Sequence, residues 1–494
     1  MYDIAIIGGG VIGCGIAREL SKYKIETVVI EQEGDVSCGA TKANSGIIHG
    51  GYDAAYGTKK GYFSHRGNIL FDKLEKELNF GFERIGSLVL AFDNEEMKTL
   101  SEIMENGKKN GVGDLKIIGK EELLQLEPNV GEAIGALYCK GAGIVSPYEY
   151  CIALAENAIS NGVEFKFNRR VNDINKEKDI YTIKTALEEV RSKVVINAAG
   201  VNSDTVSCMV NEEYFHIIPR KGEYLVYTKG YGDKVNHVIF QCPNEKGKGV
   251  LVTPTYHNNL MVGPDAQIMD DKYDTSTNID NLFNIIEKAE RSIPNLENKK
   301  IIRSFAGTRA TSSLHDFIIE KTKSKNFINV AGIDSPGITS SPAIARYVRG
   351  LVEKMIDLPE NDEFNPYREP NIIKKSKDDM LPMKIVNEYI NLGEDDPDRI
   401  VCRCEQVRLR EIMDALDRGI KITSTDGIKR RTRAGMGICQ GSFCEPRVKK
   451  IIAKRYGISE DEITTRGIGS GSEPVRVEIM KFKKQCEAAS KKNF

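Results

Sequence analysis

Four cysteines toward the C-terminal end of the chain stand in a pattern that chemistry can use. Cys402-Arg403-Cys404 is a C-x-C pair, and Gly437-Ile438-Cys439-Gln440-Gly441-Ser442-Phe443-Cys444 supplies a C-x4-C pair. Four thiolates are the ligand set of a [2Fe–2S] cluster and also of structural zinc. The other cysteines are dispersed (Cys14, Cys38, Cys139, Cys151, Cys208, Cys242, and Cys486 in a Lys-rich tail) and read as ordinary core or surface residues. At the opposite end, Gly8-Gly9-Gly10-Val11-Ile12-Gly13 fits G-x-G-x-x-G. Its glycines serve a tight turn, close approach of backbone to a pyrophosphate, and close helix–strand packing. The helix from Ile12 points its N-terminus, with its unpaired N–H groups, at the phosphates. Glu31, at the end of the next strand, is placed to accept ribose hydroxyls, and its charge disfavours a 2′-phosphate.

These groups need elements to hold them. Tyr2 to Ile7 reads as a buried strand, Ile16 to Tyr23 as a helix and Glu26 to Ile30 as a second strand, together one βαβ unit. A helix is expected over Arg66 to Leu78, a strand over Gly86 to Phe92, and a helix over Tyr148 to Asn161 stopped by Gly162. Val194-Val195-Ile196-Asn197-Ala198-Ala199-Gly200 is an apolar strand ending in small residues, which lets backbone approach a cofactor. Asn329-Val330-Ala331-Gly332-Ile333-Asp334 repeats that device, followed by Ser335-Pro336-Gly337-Ile338-Thr339-Ser340 and a helix over Ala343 to Met355. Between these segments, Tyr214 to Val262 alternates apolar and polar residues as an antiparallel sheet does. Prolines at 359, 366, 370, 382 and 397 mark a linker or wrapping segment, and a compact cysteine-bearing module follows.

Taken together, the three separated cofactor-type segments resemble the D-amino-acid-oxidase-like family of FAD enzymes, over roughly the first 355 residues. The resemblance implies FAD rather than NAD. It also implies an α/β (α+β) fold: a Rossmann-like FAD-binding domain with an interleaved antiparallel-sheet substrate domain, plus a small, mainly helical C-terminal iron–sulfur domain. The expected boundaries are 1–358 for the oxidoreductase, with FAD-binding parts near 1–80, 145–210 and 325–358 and sheet parts near 81–144 and 211–324. A linker at 359–398, a cluster domain at 399–456 and a tail at 457–494 complete the layout.

The family likeness also suggests site residues. Ala40 to Gly51 lies along pyrophosphate and isoalloxazine in such enzymes, which makes Thr41, Asn44, Ser45, Gly46 and Ile48 expected FAD contacts. Gly8, Gly10, Val11, Ile12, Gly13, Glu31, Val171, Ala198, Ala199, Gly200, Gly307, Asp334, Gly337, Ile338 and Thr339 complete the expected cofactor set. His49 is the candidate to take the proton of a substrate hydroxyl. Arg309, in Ser304-Phe305-Ala306-Gly307-Thr308-Arg309-Ala310, resembles the family arginine that holds an anionic substrate group, and stands in both the catalytic and cofactor-contact sets. Arg220, Lys221, Tyr256 and His257 are weaker candidates. Ile48-His49-Gly50-Gly51 resembles glycerol-3-phosphate dehydrogenases. In those enzymes an Arg-Tyr pair follows, where this chain has Tyr52-Asp53-Ala54; their lysine-bearing turn before the last helix is replaced by Pro336-Gly337-Ile338-Thr339. Asn44 to Gly51 and Ser335 to Ser341 look closer to L-2-hydroxyglutarate dehydrogenase. The expected substrate is a small anionic secondary alcohol, glycerol 3-phosphate first, with a 2-hydroxyacid, an amino acid, or a non-catalytic electron relay as alternatives.

The cysteine module resembles the bacterioferritin-associated ferredoxin domain, which favours [2Fe–2S] over zinc. The amphipathic segment Leu409 to Leu416 and the basic run Lys429 to Arg433 match that domain too; the run is either a solvated face or a contact for an anion or partner. A two-electron and a one-electron centre on one chain imply onward transfer to a partner flavoprotein or electron-transfer subunit, and ultimately a quinone or NAD.

Composition sets outer bounds. The 494 residues suggest two or three domains. Lys plus Arg number 70 against 71 Asp plus Glu, so no basic field invites nucleic acid. Met1 runs directly into the first strand, and no stretch approaches the ~20 apolar residues of a spanning helix. A cytoplasmic enzyme, with peripheral contact to the inner face of a membrane allowed, is the expectation.

Overall fold

The computed structural model describes residues 1–243, 249–370, 372, 374–375, 379–467 and 470. Most of the tail expected at 457–494, with Cys486, therefore lies outside the described residues. The chain forms two compact units, Met1–Leu381 and Pro382–Phe494.

The first unit is built on two large sheets. One has a parallel centre: Glu164–Lys166, Thr27–Ile30, Tyr2–Ile7, Glu189–Asn197 and Phe327–Ala331 lie side by side. Antiparallel strands flank it, with Val171–Glu177 and Ile180–Thr185 on one part of Glu189–Asn197 and Ile318–Lys321 on Phe327–Ala331. The Thr27–Ile30 strand is buried throughout, as strands covered on both faces must be. This puts the C-terminal ends of Tyr2–Ile7, Glu189–Asn197 and Phe327–Ala331 next to each other, the position where open α/β sheets bind ligands.

The second sheet joins Ser87–Ala91, Leu115–Gly119, Gly135–Cys139, Ile217–Lys229, Val238–Gln241, Leu251–Pro254, Asn259–Gly263, Gln267–Ile268 and Ile301–Ser312. Its pairings are antiparallel except that of Val238–Gln241 with Ser87–Ala91. A core of Leu88, Leu90, Ala136, Leu225, Val252, Leu260 and Val262 lies against the helix Ile279–Ser292. A small sheet of Ile47–Ile48, Gly143–Val145 and Phe82–Glu83 stands apart from both.

Several element boundaries differ from expectation for local reasons. The first helix starts at Val11, immediately after the glycine turn, and spans Val11–Leu20. The expected helix Arg66 to Leu78 is two helices, Lys59–Asn68 and Phe71–Leu78. The first of these has Thr58 as N-cap, and both oxygens of Asp316, distant in sequence, accept the N–H groups of Lys59 and Lys60. That long-range cap leaves no local signature. The last large helix is Gly337–Val352, beginning six residues before Ala343 with Pro342 inside it. Pro342 has no N–H to give the Ile338 carbonyl, which instead accepts from the Ser341 hydroxyl at 2.8 Å. The proline-bearing segment after Leu358 lies along the first unit: Lys24 N–H donates to Pro359 O at 2.8 Å, Asn361 N–H to Lys22 O at 2.8 Å, and Arg368 pairs with Glu156 at 2.7 Å.

In the second unit, a helix at Met383–Ile390 stands where linker was expected. It is followed by the hairpin Ile400–Cys402 with Val407–Arg408 and by helices Leu409–Leu416, Thr425–Thr432 and Glu445–Tyr456. Among the described residues no helix is long and apolar enough to cross a membrane.

Candidate active site

The glycine turn is packed as its motif requires. A Cβ on Gly8, whose φ is +113°, would strike the Ala198 carbonyl, and one on Gly13 would overlap the Gly8 carbonyl. Only glycine lets the turn, the helix and the Ala198 strand end meet this closely. Gly10 caps the Val11–Leu20 helix with no side-chain hydrogen bond, so its first-turn N–H groups suit a pyrophosphate. The Val11 N–H donates to Thr41 Oγ1 at 3.1 Å.

Glu31 points back at this turn. Its carboxylate accepts the Gly9 N–H at 2.5 Å and the Glu33 N–H at 2.8 Å. Burial outweighs both hydrogen bonds and raises its pKa to about 7. Ser37, absent from the expected set, also belongs here. Its N–H donates to Gly9 O at 3.0 Å, and its buried hydroxyl has no hydrogen-bond partner among the described residues. An orphaned hydroxyl beside a dinucleotide turn is what a polar cofactor would satisfy; the positive φ of Ser37, +62°, left no pattern to find. Helix N-terminus, buried carboxylate and spare hydroxyl fit FAD.

Other expected contacts serve the frame. Asn44 donates to Thr41 O at 2.7 Å and accepts the Gly46 N–H at 2.8 Å, fixing the loop that bears Thr41 and Ser45. Asp334 pairs with Lys60 at 2.6 Å and accepts from Thr311 at 3.1 Å, so its side chain braces the segment before the last large helix. Ile48 and Ala198 are buried at strand ends, Val171 opens a strand near the Glu31 turn, and Gly200 adopts φ +57°. Gly337 and Ile338 form the first turn of the last large helix, with Thr339 fully buried behind them.

His49 is held by its backbone. Its N–H donates to Thr339 Oγ1 at 2.9 Å, and its carbonyl accepts from Asn68 Nδ2 at 2.8 Å. The ring lies 5.8 Å from that of Phe240, and Nδ1 is 3.9 Å from Asp53 Oδ2. Asp53, Asn68 and Phe240 were not among the expected residues; Asp53 alone had a sequence signal, its placement four residues after His49.

Arg309 lies on the Ile301–Ser312 strand, paired along its length with Ile217–Lys229. Three opposed pairs matter: Arg220 with Arg309, Gly222 with Gly307, and Tyr224 with Phe305. Directly opposed residues share a face. Tyr224 stacks on Phe305 at 4.7 Å with 9° between the rings and is hydrogen-bonded to Ser45. A Cβ on Gly307 would run into the Ala43 carbonyl. This face is therefore turned to the Ala40 to Gly46 loop, the cofactor side. The Arg309 guanidinium crosses Gly222 and donates to the carbonyls of Arg220, Lys221 and Asp265 at 3.3, 3.1 and 2.7 Å. On the opposite face Lys221 is neutralised by Asp274 at 3.0 Å and Glu223 at 3.8 Å. His257 is bonded to buried Glu149 at 2.7 Å, and Tyr256 packs on Gly81 and under Lys374, so both are structural.

The four module cysteines come together as two pairs. Cys404 and Cys439 Sγ atoms are 3.6 Å apart, and Cys402 is hydrogen-bonded to Cys444. That bond, with backbone donors from Gly435 and Glu405, lowers the Cys402 pKa to about 6; Cys444 shifts up in return. Among the described residues no three His, Cys, Asp or Glu side chains converge as a single metal ion requires. Two thiol pairs suit a two-iron cluster, which takes two ligands on each iron. Gly437 leaves room for this, since a Cβ there would overlap Cys404 Cβ. The basic run is not a solvated face: Arg430, Arg431 and Arg433 are buried, with Arg430 on Asp426 and Arg433 on Glu405.

A cofactor turn, a facing sheet with a cationic end, and a separate thiol module define a flavin-dependent oxidoreductase. Residues 3–351 match the family described as FAD dependent oxidoreductase, and the chain belongs to it; residues 400–454 match the BFD-like [2Fe-2S] binding domain. The chain is 47% identical over 477 residues to the glycerol 3-phosphate dehydrogenase of Caloramator mitchellensis, covering 95% of this chain and 98% of that one. It is 33% identical to the glycerol 3-phosphate oxidase of Mycoplasma genitalium over 74% of this chain and 97% of the other. The FAD-bound, dithionite-reduced L-alpha-glycerophosphate oxidase of Mycoplasma pneumoniae superposes with a TM-score of 0.71 at 31% identity, over 74% of this chain and 98% of that one. The fold class, FAD and the [2Fe–2S] module stand as expected from the sequence.

Proposed function

We propose that this protein oxidises the secondary hydroxyl of glycerol 3-phosphate to the ketone of dihydroxyacetone phosphate. The match to a glycerol 3-phosphate dehydrogenase through both modules carries this reading. Bound FAD supplies a two-electron acceptor and the bound cluster a one-electron one. The protein's own work is positioning. Arg309, fixed by three carbonyls, presents its charge to the anionic end of the substrate. His49, its backbone locked by Thr339 and Asn68, takes the hydroxyl proton, and the Asp53 carboxylate beside Nδ1 favours the imidazolium that results. Cys402, Cys404, Cys439 and Cys444 would hold the cluster. A partner electron-transfer subunit or flavoprotein, and finally a quinone, would receive the electrons. A cytoplasmic setting belongs to the same reading, because reduced thiols persist there.

A 2-hydroxyacid such as L-2-hydroxyglutarate is the second reading. It is favoured by Tyr52, whose hydroxyl is bonded to Ser87 at 3.0 Å and so is not a phosphate ligand. Anaerobic mixing of the FAD-loaded protein with each substrate separates the two. Glycerol 3-phosphate should bleach the flavin absorption; bleaching by the hydroxyacid alone would reject the proposal. Arg309→Ala should weaken that response while retaining FAD.

A further inference from the structure

We propose that Arg220 is a second anion-binding residue, forming with Arg309 a two-guanidinium clamp for a dianionic phosphate monoester. This rests on the reading above that the Arg309 face receives the charged end of the substrate.

The register is the first support. Arg220 and Arg309 are direct partners across the long strand pair, so both side chains leave the same face. Like charges placed opposite each other destabilise a strand pair. Native sheets offset such a pair with carboxylates, and this chain does so for the neighbouring lysine: Lys221, on the opposite face, has Asp274 and Glu223. Among the described residues no carboxylate pairs with Arg220 or Arg309; the guanidinium of Arg309 meets only neutral carbonyls. Two partly buried cations without protein counter-charges are best satisfied by a ligand of charge near −2.

The surroundings give that ligand an address. The next opposed pair toward the Tyr224–Phe305 stack is Gly222 with Gly307; the Arg309 guanidinium and Pro264 lie over the first and Ala43 lies against the second. The Ser45 bond to Tyr224 and the close approach of Ala43 to Gly307 turn this face to the cofactor loop. A phosphate held by both guanidinium groups would therefore direct the rest of the substrate toward the cofactor-loop side of the sheet. A monoanionic carboxylate could engage one arginine and would leave the other uncompensated. The clamp thus selects phosphate over carboxylate, a discrimination that Arg309 alone does not make.

The test is steady-state oxidation of glycerol 3-phosphate by FAD-loaded, full-length wild type, Arg220→Gln, Arg220→Lys and Arg309→Gln, with an artificial electron acceptor. Inorganic phosphate serves as competitive inhibitor, and flavin content is measured throughout. Loss of a charge-assisted hydrogen bond predicts a KM higher by on the order of ten- to a hundred-fold in Arg220→Gln, with a smaller change in kcat. The inhibition constant of phosphate should rise in parallel, and Arg220→Lys should recover part of both. In wild type, kcat/KM should climb as the monoester loses its second proton near pH ~6; in Arg220→Gln that climb should flatten. Unchanged KM and phosphate inhibition in Arg220→Gln, with Arg309→Gln impaired, would overturn the clamp and leave the substrate reading intact. No effect in either variant would remove both.

Discussion

Thr339 Oγ1 accepts the backbone N–H of His49 at 2.9 Å, joining residues 290 apart in sequence. The same hydroxyl faces Ile47 O at 3.3 Å, so one buried side chain at the start of a helix fixes the strand end that carries the candidate base. Thr339→Val preserves shape and removes the acceptor. Leaving the His49 N–H unpaired should cost about 1–3 kcal/mol of stability, read by urea denaturation, together with a fall in kcat. Thr339→Ser should recover both. A valine variant with wild-type stability and turnover would show that the bond does no positioning.

Gly307→Ala should release FAD without breaking the sheet. The new Cβ meets the Ala43 carbonyl, and the loop bearing Thr41 and Ser45 must move. Gly113→Ala is the control, since nothing lies within 4 Å of its Cβ position. Flavin retained per protein, measured by absorbance after gel filtration, should drop for the first and hold for the second. Equal retention would mean the sheet and loop are not coupled.

Glu31 predicts two opposite pH dependences. Its folded pKa of about 7 stands above the ordinary 4.5 because of burial. Between those values the flavin-free folded state holds more protons than the unfolded one, so stability is greatest below 4.5 and is lost as pH rises through about 7. The ceiling of this effect is about 3 kcal/mol. FAD hydroxyls donating to the carboxylate favour its ionised form, so FAD affinity should weaken as pH falls below about 7. Calorimetry of the apo form and flavin fluorescence titration check the two slopes. Glu31→Gln should flatten both; a slope that survives it belongs to another group.

Cys402→Ser should lower iron and sulfide content while leaving substrate-driven flavin bleaching intact, and transfer to an external one-electron acceptor should fail. Cys208→Ser, at an exposed cysteine, should change none of these. Zinc without iron in the anaerobically purified wild type would refute the cluster.

Much of the site was legible along the chain because its signals are local. The glycine turn, Glu31 after the second strand, the Ala198-Ala199-Gly200 strand end and the C-x-C with C-x4-C pattern each depend on spacing within one turn, strand or loop. Asp53, four residues after His49, and Gly337, at the start of the last large helix, carry local signals of the same kind. Lys429 to Arg433 is not local in this sense, since a run of charge in sequence says nothing about the Glu405 and Asp426 carboxylates that meet it in the folded module.

By itself the sequence determined the class of chemistry: a dinucleotide turn for FAD, a thiol set for an iron–sulfur cluster, and a candidate base and guanidinium in family-like segments. Only the tertiary structure decided which groups act together. Strand register set Arg220 opposite Arg309 across 89 residues, and helix docking brought Thr339 to His49. The physical reason is that a local motif is specified by steric and hydrogen-bonding rules over a few residues, whereas register and docking follow from burying whole faces at once. The juxtaposition of the two arginines exists only once the sheet has formed.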